Sequence, residues 1–177
     1  GDTWASAVGL HEQPLETEGQ DFGVELATDS EGSWIAVWES GVALAGTVGP
    51  DQDILFSRSL DDGATWTTPA ALNTDAAGED ELDSVPRIVA AGHGRWLVAW
   101  LSENPIGGIT GTDPDIHVAY TPDDGTTWSD PQPLAEQFVG DTGADSDVAV
   151  AVDAKGRWTF VWSSTEDVAG AGIDNDL

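Results

Sequence analysis

All nine tryptophans of the chain fall in three registers, 4/66/128, 34/96/158 and 38/100/162, each stepped by 62 residues. A chain that repeats itself at a fixed interval folds as one supersecondary unit copied in series. The interval holds without drift through two full units of the 177 residues, and a third unit is cut short. One Tyr and four Phe are the only other aromatics, so the aromatic content is essentially that of the repeat.

The most distinctive stretch is Ser59-Leu60-Asp61-Asp62-Gly63-Ala64-Thr65-Trp66, which returns as Thr121-Pro122-Asp123-Asp124-Gly125-Thr126-Thr127-Trp128. Its last four positions also open the chain, as Gly1-Asp2-Thr3-Trp4. Asp in such a stretch accepts backbone N–H groups across a turn, and Gly supplies the positive φ that the turn requires. Trp then anchors the start of the next strand. The pattern Ser/Thr-x-Asp-x-Gly-x-Thr-Trp resembles the Asp box of sialidase-like (BNR-repeat) β-propellers, and the likeness extends over nearly the whole chain. In this reading Ser59, Asp61, Gly63, Thr65 and Trp66, with Thr121, Asp123, Gly125, Thr127 and Trp128, form a folding device and not a catalytic one.

The repeat predicts four antiparallel strands per unit, A to D, and no helix, because no stretch carries a 3.6-residue apolar period. Strand A is expected over 22–29, 85–91 and 147–153, followed by tight turns at 30–32, 92–94 and 154–156. Strand B is the apolar run Trp34–Trp38, Trp96–Trp100 and Trp158–Trp162, apolar at both parities and so expected to be covered on both faces. Strand C is expected at 53–59 and 115–121, starting again at Asp176, and strand D at 3–10, 65–72 and 127–134. The expected fold is therefore all-β, a series of four-stranded propeller blades. Residues 1–10 end a preceding blade, 21–72 and 83–134 make blades 1 and 2, and 145–177 make an incomplete blade 3. Propellers close with about four to eight blades, so just under three predict a piece of a six- or seven-bladed ring or of a larger assembly. An N-terminal strand D could also complete the third blade of a second copy.

Five Lys and Arg against 33 Asp and Glu give a net charge of −28. Nucleic acid is excluded as a partner, since phosphate binding needs clustered cations. The acidity fits either adaptation to high salt, where screening relieves self-repulsion, or an acidic secreted protein. No apolar run is long enough to span a membrane as a helix, and the absence of Cys removes disulfides. The resemblance implies an extracellular or cell-surface setting.

Function is expected on the face that carries the long loops, B–C (40–52, 102–114, 163–175) and D–A (11–21, 73–84, 135–146). The resemblance implies three arginines that hold a substrate carboxylate, a Tyr nucleophile with a Glu, and an Asp acid/base, a known departure from the two-carboxylate rule. Here Arg58 precedes a turn motif, Arg95 and Arg157 flank A–B turns, and Tyr120 abuts the second motif, all on the opposite face. Only Arg87, early in strand A, is placed to point into a central channel.

Two acidic patterns repeat. Asp51/Asp53, Asp113/Asp115 and Asp174/Asp176 end the three B–C loops, and paired carboxylates of this kind either cap the loop or offer hard oxygen ligands to Ca²⁺. Asp21, Asp83 and Asp145 precede strand A and would form an acidic ring at the channel mouth, or else stand as solvated loop carboxylates. His11, His93 and His117 share no register and predict no metal triad. The expected function is a non-catalytic extracellular binding or structural module, with carbohydrate or protein as partner, acting through its loops or through blade assembly. The rival is a fragment of a sialidase-like glycoside hydrolase.

Overall fold

A computed structural model describes residues 9–10, 19–42, 44, 48, 51–73, 76, 81–105, 113–134 and 143–166. Every regular element among them is a strand. Blade 1 is β1 (Asp21–Thr28), β2 (Trp34–Ser40), β3 (Asp53–Ser59) and β4 (Ala70–Ala71), hydrogen-bonded in that order and antiparallel throughout. Blade 2 repeats the meander as β5 (Asp83–Gly92), β6 (Arg95–Ser102), β7 (Asp115–Thr121) and β8 (Gln132–Pro133). Blade 3 contributes the pair β9 (Asp145–Val152) and β10 (Trp158–Ser164). Residues 1–8 and 167–177, where a preceding strand D and a third strand C are expected, lie outside the described residues.

The strand expectations need two corrections. Strand A begins earlier than expected, at Asp21, Asp83 and Asp145, and each copy bulges two residues in. The bulge residue has a positive φ in all three blades: Gly23 (58°), Val85 (54°) and Asp147 (52°). Strand D shrinks from the expected eight residues to two-residue ladders. Pro69 and Pro131 bring no N–H to the ladder where it would continue. The chain still follows strand C on either side of each proline, with Thr67 and Leu72 donating to Arg58 and Ile54, and Ser129 and Leu134 donating to Tyr120 and Ile116.

The blades stack through a contact with a direction. Along strand B the two parities face opposite ways. One face of blade 1, with Ile35, Val37 and Ile54, packs against Trp96, Val98, Trp100 and Ala119 of blade 2. The other face of blade 2, with Leu97, Ala99 and Ile116, packs against Val148, Val150, Trp158, Phe160 and Trp162 of blade 3. Each blade thus sets its Trp face against the non-Trp face of the blade before it. Strand B is consequently buried on both sides in β2 and β6, as its composition predicts, whereas in β10 Thr159 and Val161 are exposed.

In each turn motif the first aspartate gathers a backbone amide and two hydroxyls. Asp61 Oδ1 accepts from the Thr65 amide and the Ser59 hydroxyl, each at 2.8 Å, and Oδ2 accepts from the Thr65 hydroxyl at 2.7 Å. Asp123 does the same with Thr127 and Thr121, at 2.8–2.9 Å. Ser59 and Thr121 close the turn by accepting from the Gly63 and Gly125 amides at 2.9 and 3.0 Å. The backbone hydrogen bonds and hydroxyls gathered on Asp61 and Asp123 hold both carboxyls below their ordinary range. Gly125 has a φ of 72°, and a Cβ there would also press on blade 1, lying 3.1 Å from Cδ1 of Ile35. The tryptophans of the motif are half-buried. Trp66 Nε1 donates back to Gly63 O at 3.1 Å, and Trp128 meets Phe56 of blade 1 edge-on, with ring centroids 5.5 Å apart.

Candidate functional site

At the loop-face end of every blade, register brings one row of polar residues together: Asp21–Ser40–Asp53, Asp83–Ser102–Asp115 and Asp145–Ser164. All are buried except Asp21, which is exposed. Burial therefore corrects the reading of Asp83 and Asp145 as solvated loop carboxylates, each being only 2% exposed. The serines were not singled out in the sequence, although Ser40, Ser102 and Ser164 stand 62 residues apart. Each Ser hydroxyl accepts from the amide two residues on (Val42, Asn104 and Glu166, at 3.1–3.2 Å), turning the chain out of strand B into its loop. Ser40 also donates to Asp21 Oδ1 at 2.6 Å, and Asn73 donates to Asp53 Oδ1 at 3.1 Å.

The same rows join neighbouring blades. The Asp83 amide donates to Gln52 O of blade 1 at 2.8 Å, and the Asp145 amide donates to Pro114 O of blade 2 at 2.7 Å. The loop motif Asp51-Gln52-Asp53 is thus placed beside Asp83, and Asp113-Pro114-Asp115 beside Asp145. Asp51 and Asp113 are half-buried, Asp53 and Asp115 buried, and Asp174 and Asp176 lie outside the described residues. Among the described residues no three Asp, Glu, His or Cys side chains converge as a metal-holding group.

The two seams differ beside these rows. At the first, Glu39 reaches across from the end of β2, and its Oε1 accepts the amide of the bulge residue Val85 at 2.8 Å. A β-branched residue at positive φ costs on the order of 1–3 kcal/mol, and this charged acceptor offsets part of that. At the second seam the register equivalent of Glu39 is Leu101, which can accept nothing. There a pocket of about 350 Å³ opens, with Leu82, Leu101 and Pro114 as its apolar lining. Its polar lining is Gln52, Ser84, Ser102, Glu103, Asp145 and Ser146.

Among the described residues no cation lines this pocket. Arg58 Nη1 donates to Asp124 O and Thr126 Oγ1, at 2.9 and 2.7 Å, binding blade 1 to the turn of blade 2. Arg157 pairs with Asp153 at 2.6 Å, and Arg95 Nη2 donates weakly to Ala91 O at 3.4 Å. Arg87, in strand A of blade 2, pairs at 3.2 Å with Glu25, its register equivalent in blade 1. Tyr120 is exposed beside the turn motif.

These sheets and their directed stacking define consecutive blades of a β-propeller with a sialidase-like fold. No protein-family model matches the chain. No curated protein matches it. Among solved structures it is similar to the Hadza microbial sialidase Hz136, with a TM-score of 0.54 and 20% identity over 83% of this chain and 35% of that one. It is also similar to the endo-arabinase of Bacteroides thetaiotaomicron, with a TM-score of 0.50 and 17% identity over 88% of this chain and 53% of that one. A third is the α-L-arabinanase of Penicillium chrysogenum, solved with arabinobiose, with a TM-score of 0.52 and 13% identity over 81% of this chain and 39% of that one. The chain thus spans between about a third and a half of the length of these proteins. No helix among the described residues is long and apolar enough to cross a membrane.

Proposed function

We propose that this chain is a non-catalytic extracellular module of the BNR-propeller type, and that the pocket between blades 2 and 3 binds a neutral sugar residue. One observation carries the reading: the pocket is rimmed by carboxylate, hydroxyl and amide groups and, among the described residues, by no cation, while Arg58, Arg87 and Arg157 make their contacts elsewhere. Such a rim offers hydrogen bonds to sugar hydroxyls and repels a sugar carboxylate. Its volume lies at the small end of the range for ligand sites, about 300–1,000 Å³, which suits one or two sugar units. The apolar lining provides a surface for the C–H face of a sugar ring. Arabino-oligosaccharides are the first ligands to test, given the arabinan-directed enzymes among the structural neighbours.

A second reading, a fragment of a glycoside hydrolase, is favoured by the presence of two carboxylates, Glu103 and Asp145, at one pocket. Calorimetric titration with arabino-oligosaccharides and with sialyllactose, alongside an assay for released reducing sugar, separates the two. Binding of the neutral sugar alone, weakened by Ser84→Ala and with no sugar released, supports the module. Release of sugar that is lost in both Glu103→Gln and Asp145→Asn would establish the hydrolase instead.

A further inference from the structure

Each strand-A bulge lies beside one residue of strand B, and the repeat supplies the pair three times: Gly23 with Glu39, Val85 with Leu101, Asp147 with Ser163. Both members of the pair differ together from blade to blade. In blade 1 the carboxylate of Glu39 passes directly over the glycine, and a Cβ at position 23 would lie 2.6 Å from its Oε1. From there the same oxygen accepts the Val85 amide of blade 2 at 2.8 Å. Glycine at the bulge is thus what admits the bridge across the first seam. In blade 2 the bulge residue is Val85, with a φ of 54° close to the 58° of Gly23. Its Cβ stands where the Glu39 oxygen passes in blade 1, so a side chain at position 101 cannot take that path. The residue there is Leu101, and it lines the pocket.

We propose that Leu101 selects the ligand of this pocket, offering an uncharged sugar an apolar surface where, at the first seam, a carboxylate of the chain itself crosses. The inference rests on the reading of the pocket as a sugar site. Val85 is a positioning residue: it keeps the side chain at 101 in the pocket and away from the bulge of the next blade. Positions 85 and 101 then act as a pair. Glycine with glutamate gives a bridged seam, and valine with leucine gives an open one. The third blade is built to accept the bridge, since Asp147, the register equivalent of Val85, has a φ of 52°. A buried carboxylate beside the bridge is no obstacle, because Asp83, the equivalent of Asp145, is only 2% exposed at the first seam. What a carboxylate at 101 would remove is the apolar patch, and it would add a third acid to Glu103 and Asp145 at the rim.

The test is calorimetric titration of the full chain with arabinotriose, in wild type, Val85→Gly, Leu101→Ser and the double variant Val85→Gly/Leu101→Glu. Circular dichroism checks that each variant keeps its strands. Leu101→Ser should weaken binding about tenfold through the lost apolar contact. Val85→Gly alone should weaken it less than about threefold, since Leu101 gains no partner at the bulge amide. The double variant should lose at least about a hundredfold, as a bridging carboxylate displaces the sugar. In the same variant, hydrogen exchange at the Asp147 amide, followed by NMR, should slow at least about tenfold relative to Val85→Gly alone. A wild-type chain that binds no arabinotriose removes the sugar reading of the pocket and this inference with it. A wild-type chain that binds while Leu101→Ser and the double variant bind equally well overturns this inference alone. So does a double variant that loses the sugar with its Asp147 amide unprotected, because the carboxylate then blocks the pocket without bridging the seam.

Discussion

Blades 2 and 3 share a strand-B pattern, Trp96–Trp100 and Trp158–Trp162, but have different fates. In β6, Trp96, Val98, Ala99 and Trp100 are all inaccessible, because blade 1 covers one face and blade 3 the other. In β10 the Trp face is packed, while Thr159 and Val161 face outward. Composition reports what a strand can bury, whereas position in the series decides what it does bury. Stability is therefore expected to be highest at the first seam and to fall toward the third blade.

The largest effect is expected at the first seam. Trp100→Ala should cost about 3–5 kcal/mol, typical of removing a buried aromatic, and chemical denaturation measures it. Within one register, Val37→Ala should cost about 2 kcal/mol or more, and Val161→Ala under about 0.5 kcal/mol at dilute protein. Equal costs at the two positions would break the comparison.

The next effect depends on pH. His117 is fully buried beside Trp100, with ring centroids 6.0 Å apart, and burial lowers its pKa to about 4 from 6.5. The folded state thus disfavours the charged imidazole, and the unfolded state binds the extra proton between those values. Stability is expected to fall as pH drops below 6.5, by about 3 kcal/mol in all once pH is below 4. The register equivalent in blade 1 is Leu55, so His117→Leu should flatten this part of the pH profile. Unfolding free energies measured from pH 7 to 4 check the slope. A further loss below pH 3.8 is expected from Asp61 and Asp123, whose carboxyls are depressed by their turn hydrogen bonds and lose that contribution on protonation.

A smaller difference separates the two turn motifs. The turn of blade 2 is tied to blade 1 by Arg58 and to its own blade by Trp96 Nε1, which donates to Asp124 Oδ1 at 3.1 Å. The turn of blade 1 has no comparable contact with a preceding blade among the described residues. Asp123→Ala should therefore lower the melting temperature more than Asp61→Ala, although their internal hydrogen bonds are alike. Thermal melts of the two variants sharpen or remove that distinction.

The repeat made much of the fold legible. Sixty-two-residue spacing, the Trp-bounded strand B and the chemistry of Asp, Gly and Thr in the turn all carry their structural meaning locally. Strand D is shorter than its apolar residues suggest because Pro69 and Pro131 bring no N–H to the ladder. The bulge in strand A had no local signal, since Gly23, Val85 and Asp147 share no residue type and adopt positive φ through pairing with the neighbouring strand. The serine row did leave a signal at 40, 102 and 164, hidden by the more conspicuous tryptophans beside it. The pocket arises where the copies differ, with Leu101 in the place of Glu39, and a difference acquires meaning only once the seam between two blades is known.

Hydrogen exchange followed by mass spectrometry tests the directed stacking most directly. Peptides covering Arg95–Ser102 should exchange at least about ten times more slowly than those covering Trp158–Ser164, because opening β6 disrupts two seams and opening β10 only one. Equal protection of the two strands, or slower exchange in β10, would contradict a series of blades sealed only where a neighbour is present.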